Sequence, residues 1–146
     1  MQTLLDDILV QINIDQKSIK NYSMLSLAFL GDSIHSLYVR EKLIEKANFK
    51  VKQLHSDATK YVKAGSQSLV LEKIFDILSL DEQQIVKTAK NSKTNNIAKN
   101  SSIKDYKNAT AFESLLGYLA LNKNFERLNF VLEQSYQIIN DNILNS

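Results

Sequence analysis

Asp32 and Glu113 are acids placed where a charge is costly. Asp32 follows Gly31 inside the apolar run Leu25-Ser26-Leu27-Ala28-Phe29-Leu30-Gly31-Asp32-Ser33-Ile34. Glu113 is the lone acid of Asn108-Ala109-Thr110-Ala111-Phe112-Glu113-Ser114-Leu115-Leu116-Gly117-Tyr118-Leu119. A glycine inside a helix costs about 1 kcal/mol relative to alanine, and a buried carboxylate costs more unless it is paired or bound to a cation. If the two helices pack together, Asp32 and Glu113 can share a hard cation such as Mg²⁺, which prefers carboxylate and water oxygens. Ala28, one turn before Asp32, is small enough to leave room beside the carboxylate. Taken one at a time, each acid has a plainer reading. Asp32 can be an exposed aspartate at a helix kink or cap, and Glu113 one glutamate turned to solvent from an amphipathic helix.

Other chemistry is poorly supplied. There is no glycine-rich phosphate loop, no Gly-x-Ser-x-Gly elbow and no His-Glu-x-x-His helix. The absence of cysteine removes disulfides, thiolate metal sites and thiol nucleophiles, and agrees with a reducing, cytoplasmic setting. His35 lies one turn after Asp32 and can orient it or a bound water, although a helix-surface histidine without a role is the commoner case. His55 reads as a packing or capping residue. Tyr61, Tyr106 and Tyr118 read as core or interface residues rather than platforms for bases.

The elements that must position these groups are helical. At 146 residues the chain has the length of one domain, residues 1–146, able to bury a core without staples. It has no proline, three glycines and apolar residues at helical spacing, with no alternating strand pattern. Leu4, Leu5, Ile8 and Leu9 predict a short first helix. Ser23 is the expected N-cap of a helix from Met24 to about Lys46, with Leu27, Leu30, Ile34 and Leu37 as its buried stripe. A third helical region runs from Val51 to Leu78 and is expected to break or bend at Gly65. Asp81 is the expected cap of a short helix from Glu82 to about Lys90, and residues 91–106 read as a loop. Further helices carry Ala109 to Leu119 and Phe125 to Ile139. The fold class is therefore all-α, a globular helical bundle.

Charge is unevenly spread. The net charge is only +2, yet between Lys87 and Lys107 six lysines (Lys87, Lys90, Lys93, Lys99, Lys104 and Lys107) face a single acid, Asp105. The rest of the chain is consequently net negative. Such a segment suits a polyanion, with phosphate contacts from these lysines and Asn91, and equally a solvated lysine-rich loop. Asp6 and Asp7 stand where a signal peptide needs basic residues. No stretch approaches the roughly 20 apolar residues of a membrane span, so no membrane partner is expected.

In this order and spacing the motifs resemble Mini-ribonuclease III, the short bacterial relatives of ribonuclease III that lack its double-stranded-RNA-binding domain. The resemblance rests on Leu27-Ala28-Phe29-Leu30-Gly31-Asp32-Ser33 with Val39-Arg40, then Leu54-His55, Ala58, Tyr61-Val62, Ala64 and Gln67. It continues through Lys90-Asn91-Ser92-Lys93, Lys99-Asn100, Tyr106 and Thr110 to Leu119, covering about Ser23 to Leu132. It implies a ribonuclease III catalytic-domain-like bundle acting as a homodimer on double-stranded RNA. Asp32 would be catalytic and Glu113 would join it in binding Mg²⁺, with Mn²⁺ as a substitute. The substrate implied is the stem of the large-subunit (23S) ribosomal RNA precursor. Ala28 and Thr110 stand where the larger ribonucleases III have further acids, a departure that the short subfamily shares. The alternative is a catalytically silent RNA-binding protein of the same fold; retention of both acids argues against it.

Overall fold

The computed structural model describes residues 4–11, 13–92 and 102–146. Its helices are α1 (Leu4–Leu9), α2 (Met24–Lys46), α3 (Val51–Val62), α4 (Ala64–Ile74), α5 (Leu80–Lys90), α6 (Ile103–Leu121) and α7 (Phe125–Leu144), with 3₁₀ turns at Gln16–Asn21 and Phe75–Ile77. Among the described residues there is no strand, and no helix is long and apolar enough to cross a membrane. The all-α expectation holds.

α6 is the axis of the bundle. Ala109, Ala111, Phe112, Leu115, Leu116, Leu119 and Ala120 bury it around nearly its whole circumference, as befits a helix packed on several sides. α2, α4 and α5 lie against it, and α7 closes the core through Leu128, Val131, Leu132 and Ile139. Packing on this scale, not intrinsic propensity, supplies most of the helical stability.

Local chemistry sets the ends. Ser23 caps α2, its Oγ accepting from the Ser26 amide at 3.0 Å, as expected. The cap of α5 is Ser79 rather than Asp81: Ser79 Oγ accepts from the Glu82 amide, and Glu82 Oε1 accepts from the Ser79 amide at 2.9 Å. This reciprocal capping box satisfies two otherwise orphaned donors, and Asp81 falls inside the helix. The third helical region breaks at Lys63, which adopts an extended conformation (φ −62°, ψ 154°), and Gly65 lies in the first turn of α4. Helix α6 starts earlier than its apolar pattern, at Ile103 with Ser102 as cap, so residues 103–106 are helical and not loop. Leu37, expected in the buried stripe of α2, is exposed at 38%, because Val39 and Leu43 continue that stripe instead.

Candidate active site

The two anomalous glycines explain the geometry that carries the acids. A Cβ on Gly31 would lie 1.8 Å from the Glu113 carbonyl oxygen, and one on Gly117 would lie 2.0 Å from that of Leu27. α2 and α6 therefore touch backbone to backbone at two reciprocal points, a closeness only glycine permits. The Ser114 hydroxyl bridges the same contact, lying 2.8 Å from both the Met24 and the Thr110 carbonyl oxygens. The cost of each helical glycine is thus offset by an approach that sets Asp32 beside Glu113.

The acids share a cleft of about 440 Å³ whose walls include Ala28, Phe29, Gln67, Tyr106 and Thr110. Asp32 is exposed at its mouth and Glu113 is half-buried. Burial, then a hydrogen bond shared with Asp32 and the charge of Asp32, push the Glu113 carboxyl up to about 8, against a smaller opposing hydrogen bond from Gln67. Burial and the neighbouring like charge thus favour the protonated form of Glu113. The donors are all oxygen, and among the described residues no group of three or more His, Cys, Asp or Glu comes together. A carboxylate pair of which Asp32 is open to water and Glu113 half-buried fits a hard divalent cation that keeps several waters.

Behind Glu113 runs a polar line that spacing alone did not reveal. Gln67, His35 and Ser135 are all buried. The Gln67 amide nitrogen lies 3.0 Å from His35 Nδ1, and His35 Nε2 lies 3.3 Å from Ser135 Oγ. With the amide N–H facing the ring, Nδ1 accepts and the Nε2 proton donates to Ser135. Burial lowers the His35 pKa to about 4 despite the pull of Asp32, which favours the neutral ring. Phe112 packs edge-on against it, ring centroids 5.1 Å apart. His35 is accordingly not a surface histidine; it is hydrogen-bonded to Gln67, and Gln67 in turn is hydrogen-bonded to Glu113. A glutamine in the run Ala64-Gly65-Ser66-Gln67-Ser68-Leu69-Val70 was the available signal, but its partners lie 32 residues away at His35 and across to Glu113.

The other sequence candidates are dispersed. Lys87 and Lys90, in the last turn of α5, reach over the Phe75 ring at 6.0 and 5.8 Å, and Asn91 caps that helix. Lys93 and Lys99 lie outside the described residues. Lys104 pairs with Glu72 at 2.6 Å, and Lys107 is exposed on α6. Tyr61 is a core residue, stacked on Tyr136 with its hydroxyl donating to Asn140. Tyr106 lines the Asp32–Glu113 cleft. His55 is exposed rather than packed or capping.

Known proteins agree with this architecture. The Ribonuclease III domain family matches residues 25–124. The Mini-ribonuclease 3 of Thermoanaerobacter sp. is 42% identical over 86% of this chain and 89% of its own length. That of Brevibacillus brevis is 44% identical over 79% and 86%. A crystal structure of a Fusobacterium nucleatum protein superposes with a TM-score of 0.75 at 32% identity, covering 82% of this chain and 96% of that one. With its Leu-Gly-Asp segment and its Glu113 helix both inside the matched span, the chain belongs to the ribonuclease III domain family, in its Mini-ribonuclease 3 branch.

Proposed function

We propose that this protein is a divalent-cation-dependent endoribonuclease that cuts double-stranded RNA as a cytoplasmic homodimer, with a precursor stem of 23S ribosomal RNA as its substrate. The observation that carries the reading is the carboxylate pair brought together by the reciprocal glycine contacts. Asp32 and Glu113 would hold Mg²⁺, or Mn²⁺ in its place, which when bound supplies an acidified water and charge neutralisation at the leaving ribose oxygen. The chain's own residues prepare for this. Glu113 keeps a proton shared with Asp32 until a cation displaces it, Gln67 holds the Glu113 carboxyl in place, and neutral His35 keeps the Gln67 amide from turning.

Phe29 supports the dimer. It is 85% exposed beside the cleft, with Leu25 at 42% one turn earlier, an apolar pair that a second copy would cover. Lys87, Lys90, Asn91, Lys93, Lys99, Lys104 and Lys107 supply phosphate contacts on this reading. Their action is largely independent of sequence, because duplex RNA is recognised mainly by shape. A silent RNA-binding protein would have no use for two acids facing a polyanion, since they weaken phosphate binding.

Incubating the purified protein with a pre-23S ribosomal RNA stem, with and without Mg²⁺, and mapping the ends tests the proposal. Cuts in both strands only with the metal are expected. Binding without cutting would transfer support to the silent alternative.

A further inference from the structure

On α2, Asp32, Ser36 and Arg40 follow at intervals of four and share one face. The distance from Asp32 to Arg40 along the axis is roughly 12 Å at the helical rise. Across from them, α3 presents His55 and Thr59. Between the two helices lies a cavity of about 80 Å³ lined by Ser36, Arg40, His55, Ala58, Thr59 and Val62. Val62 lines both this cavity and the Asp32–Glu113 cleft, so the two spaces are neighbours across one side chain. At its far end the cavity shares Arg40, His55 and Ala58 with an apolar hollow of about 190 Å³ walled by Leu43 and Leu54. The two hollows together form a groove between α2 and α3 that starts beside the carboxylate cleft and follows α2 toward its end.

The chemistry of this groove differs from that of the site it joins. No acid lines either cavity. Arg40 is exposed and forms no ion pair among the described residues. A guanidinium against an apolar wall is less hydrated than an ammonium in open solvent, and its planar fork of donors matches a phosphate. The imidazole of His55 supplies a further donor on the opposite side.

We propose that the α2/α3 groove is a phosphate subsite, in which Arg40 and His55 clasp the backbone of the RNA strand beside the scissile position. This rests on the ribonuclease reading of the Asp32–Glu113 cleft. An RNA phosphate is favoured over an acidic protein segment because Arg40 shares the Asp32 face of α2, which the substrate itself must cover. Ser36 and Arg40 also lie further along α2 than Leu25 and Phe29, on which the dimer proposed above rests. Its contribution is distinct from that of the lysine segment: it grips the strand next to the reacting carboxylates.

Binding of a duplex RNA to the full-length protein, measured over a range of salt with Ca²⁺ replacing Mg²⁺ to prevent cutting, tests this. Arg40→Ala is expected to bind on the order of tenfold more weakly. Its slope of log affinity against log salt should fall by about one unit, on the duplex calibration. Arg40→Lys should keep the slope and recover part of the affinity, and His55→Ala should lose less than Arg40→Ala. On a duplex shortened to end at the cut position on the groove side, wild type and Arg40→Ala should bind alike. Wild-type affinity and slope for Arg40→Ala on the long duplex would overturn the subsite, as would an equal loss on both duplexes. If wild type cuts duplex RNA while Arg40→Ala is unaffected, only the subsite falls; if wild type neither binds nor cuts it, the ribonuclease reading falls and takes the subsite with it.

Discussion

Glu82 and Glu113 are glutamates in the same bundle, both withdrawn from water and treated in opposite ways. Glu82, at the start of α5, is 3% exposed and receives two hydrogen bonds from Arg127, at 2.8 and 3.0 Å, besides the Ser79 amide at 2.9 Å. Burial works to raise its pKa, but the bonds from Arg127 and Ser79 outweigh it and hold the carboxyl below the ordinary range. Arg127 in turn lies over the Phe130 ring at 4.6 Å. Glu113 has another carboxylate where Glu82 has an arginine, and its carboxyl is pushed up to about 8. A buried acid that comes with its own cation ties helices together; one set against a like charge is the kind of group that the proposed function gives to a cation from outside.

The largest effect is expected at the poised pair. Asp32→Asn removes a charge and almost no volume, so turnover should fall by a factor of about 10³ or more while the fold and duplex binding persist. Single-turnover cleavage beside a melting curve checks this, and near-normal turnover by the folded variant would remove Asp32 from the chemistry. At the self-contained pair the prediction is reversed. Arg127→Met leaves Glu82 buried with only the Ser79 amide as partner and should cost about 2–3 kcal/mol of stability, less than a fully dry pair would because Arg127 is 31% exposed. Its Mg²⁺ dependence should match wild type; an altered one would break the comparison.

Gly31→Ala sharpens it further. The new methyl group meets the Glu113 backbone, so α2 and α6 must part, at about 1–3 kcal/mol by the usual cost of overpacking. The acids should then separate, and the Mg²⁺ concentration for half-maximal cleavage should rise. Unchanged metal dependence would mean that this contact does not set the site.

The smallest effect is a pH dependence without divalent cation. Glu113 titrates higher folded than unfolded, so its contribution is present below about 4.5 and is lost as pH rises toward 8. His35 has its pKa lowered to about 4, so its contribution is present above about 6.5 and is lost as pH falls toward 4. The two slopes oppose one another from about 4.5 to 6.5. Between about 6.5 and 8 Glu113 acts alone, and the melting temperature should decline there, with Mg²⁺ abolishing the decline. A flat profile in that window would contradict the raised carboxyl.

What the sequence made legible follows from how local each feature is. The α2 span and its Ser23 cap depend on neighbours within a turn, and both were readable. So were Asp32 and Glu113, because a lone acid beside a glycine in an apolar helix is anomalous on sight. The reason for the glycines was not, since it lies in the backbone of another helix some eighty residues away. Gln67, His35 and Ser135 each look unremarkable in their own segments, and their meaning comes from a line of hydrogen bonds crossing three helices. Arg127 likewise gives no local sign of Glu82. The break at Lys63 escaped because glycine is the usual marker of a bend, whereas here a single extended residue suffices.

The central claim is that Glu113 is held protonated against Asp32 until a divalent cation takes the proton's place. Its most direct test is to follow the side-chain carboxyl carbon of Glu113 by NMR across a pH titration, without and with saturating Mg²⁺, using Glu113→Gln to assign the signal. The account predicts a midpoint near 8 without metal, falling into the ordinary carboxylate range when Mg²⁺ is present. An ordinary midpoint in the metal-free protein, or a raised one that Mg²⁺ leaves unmoved, would contradict it.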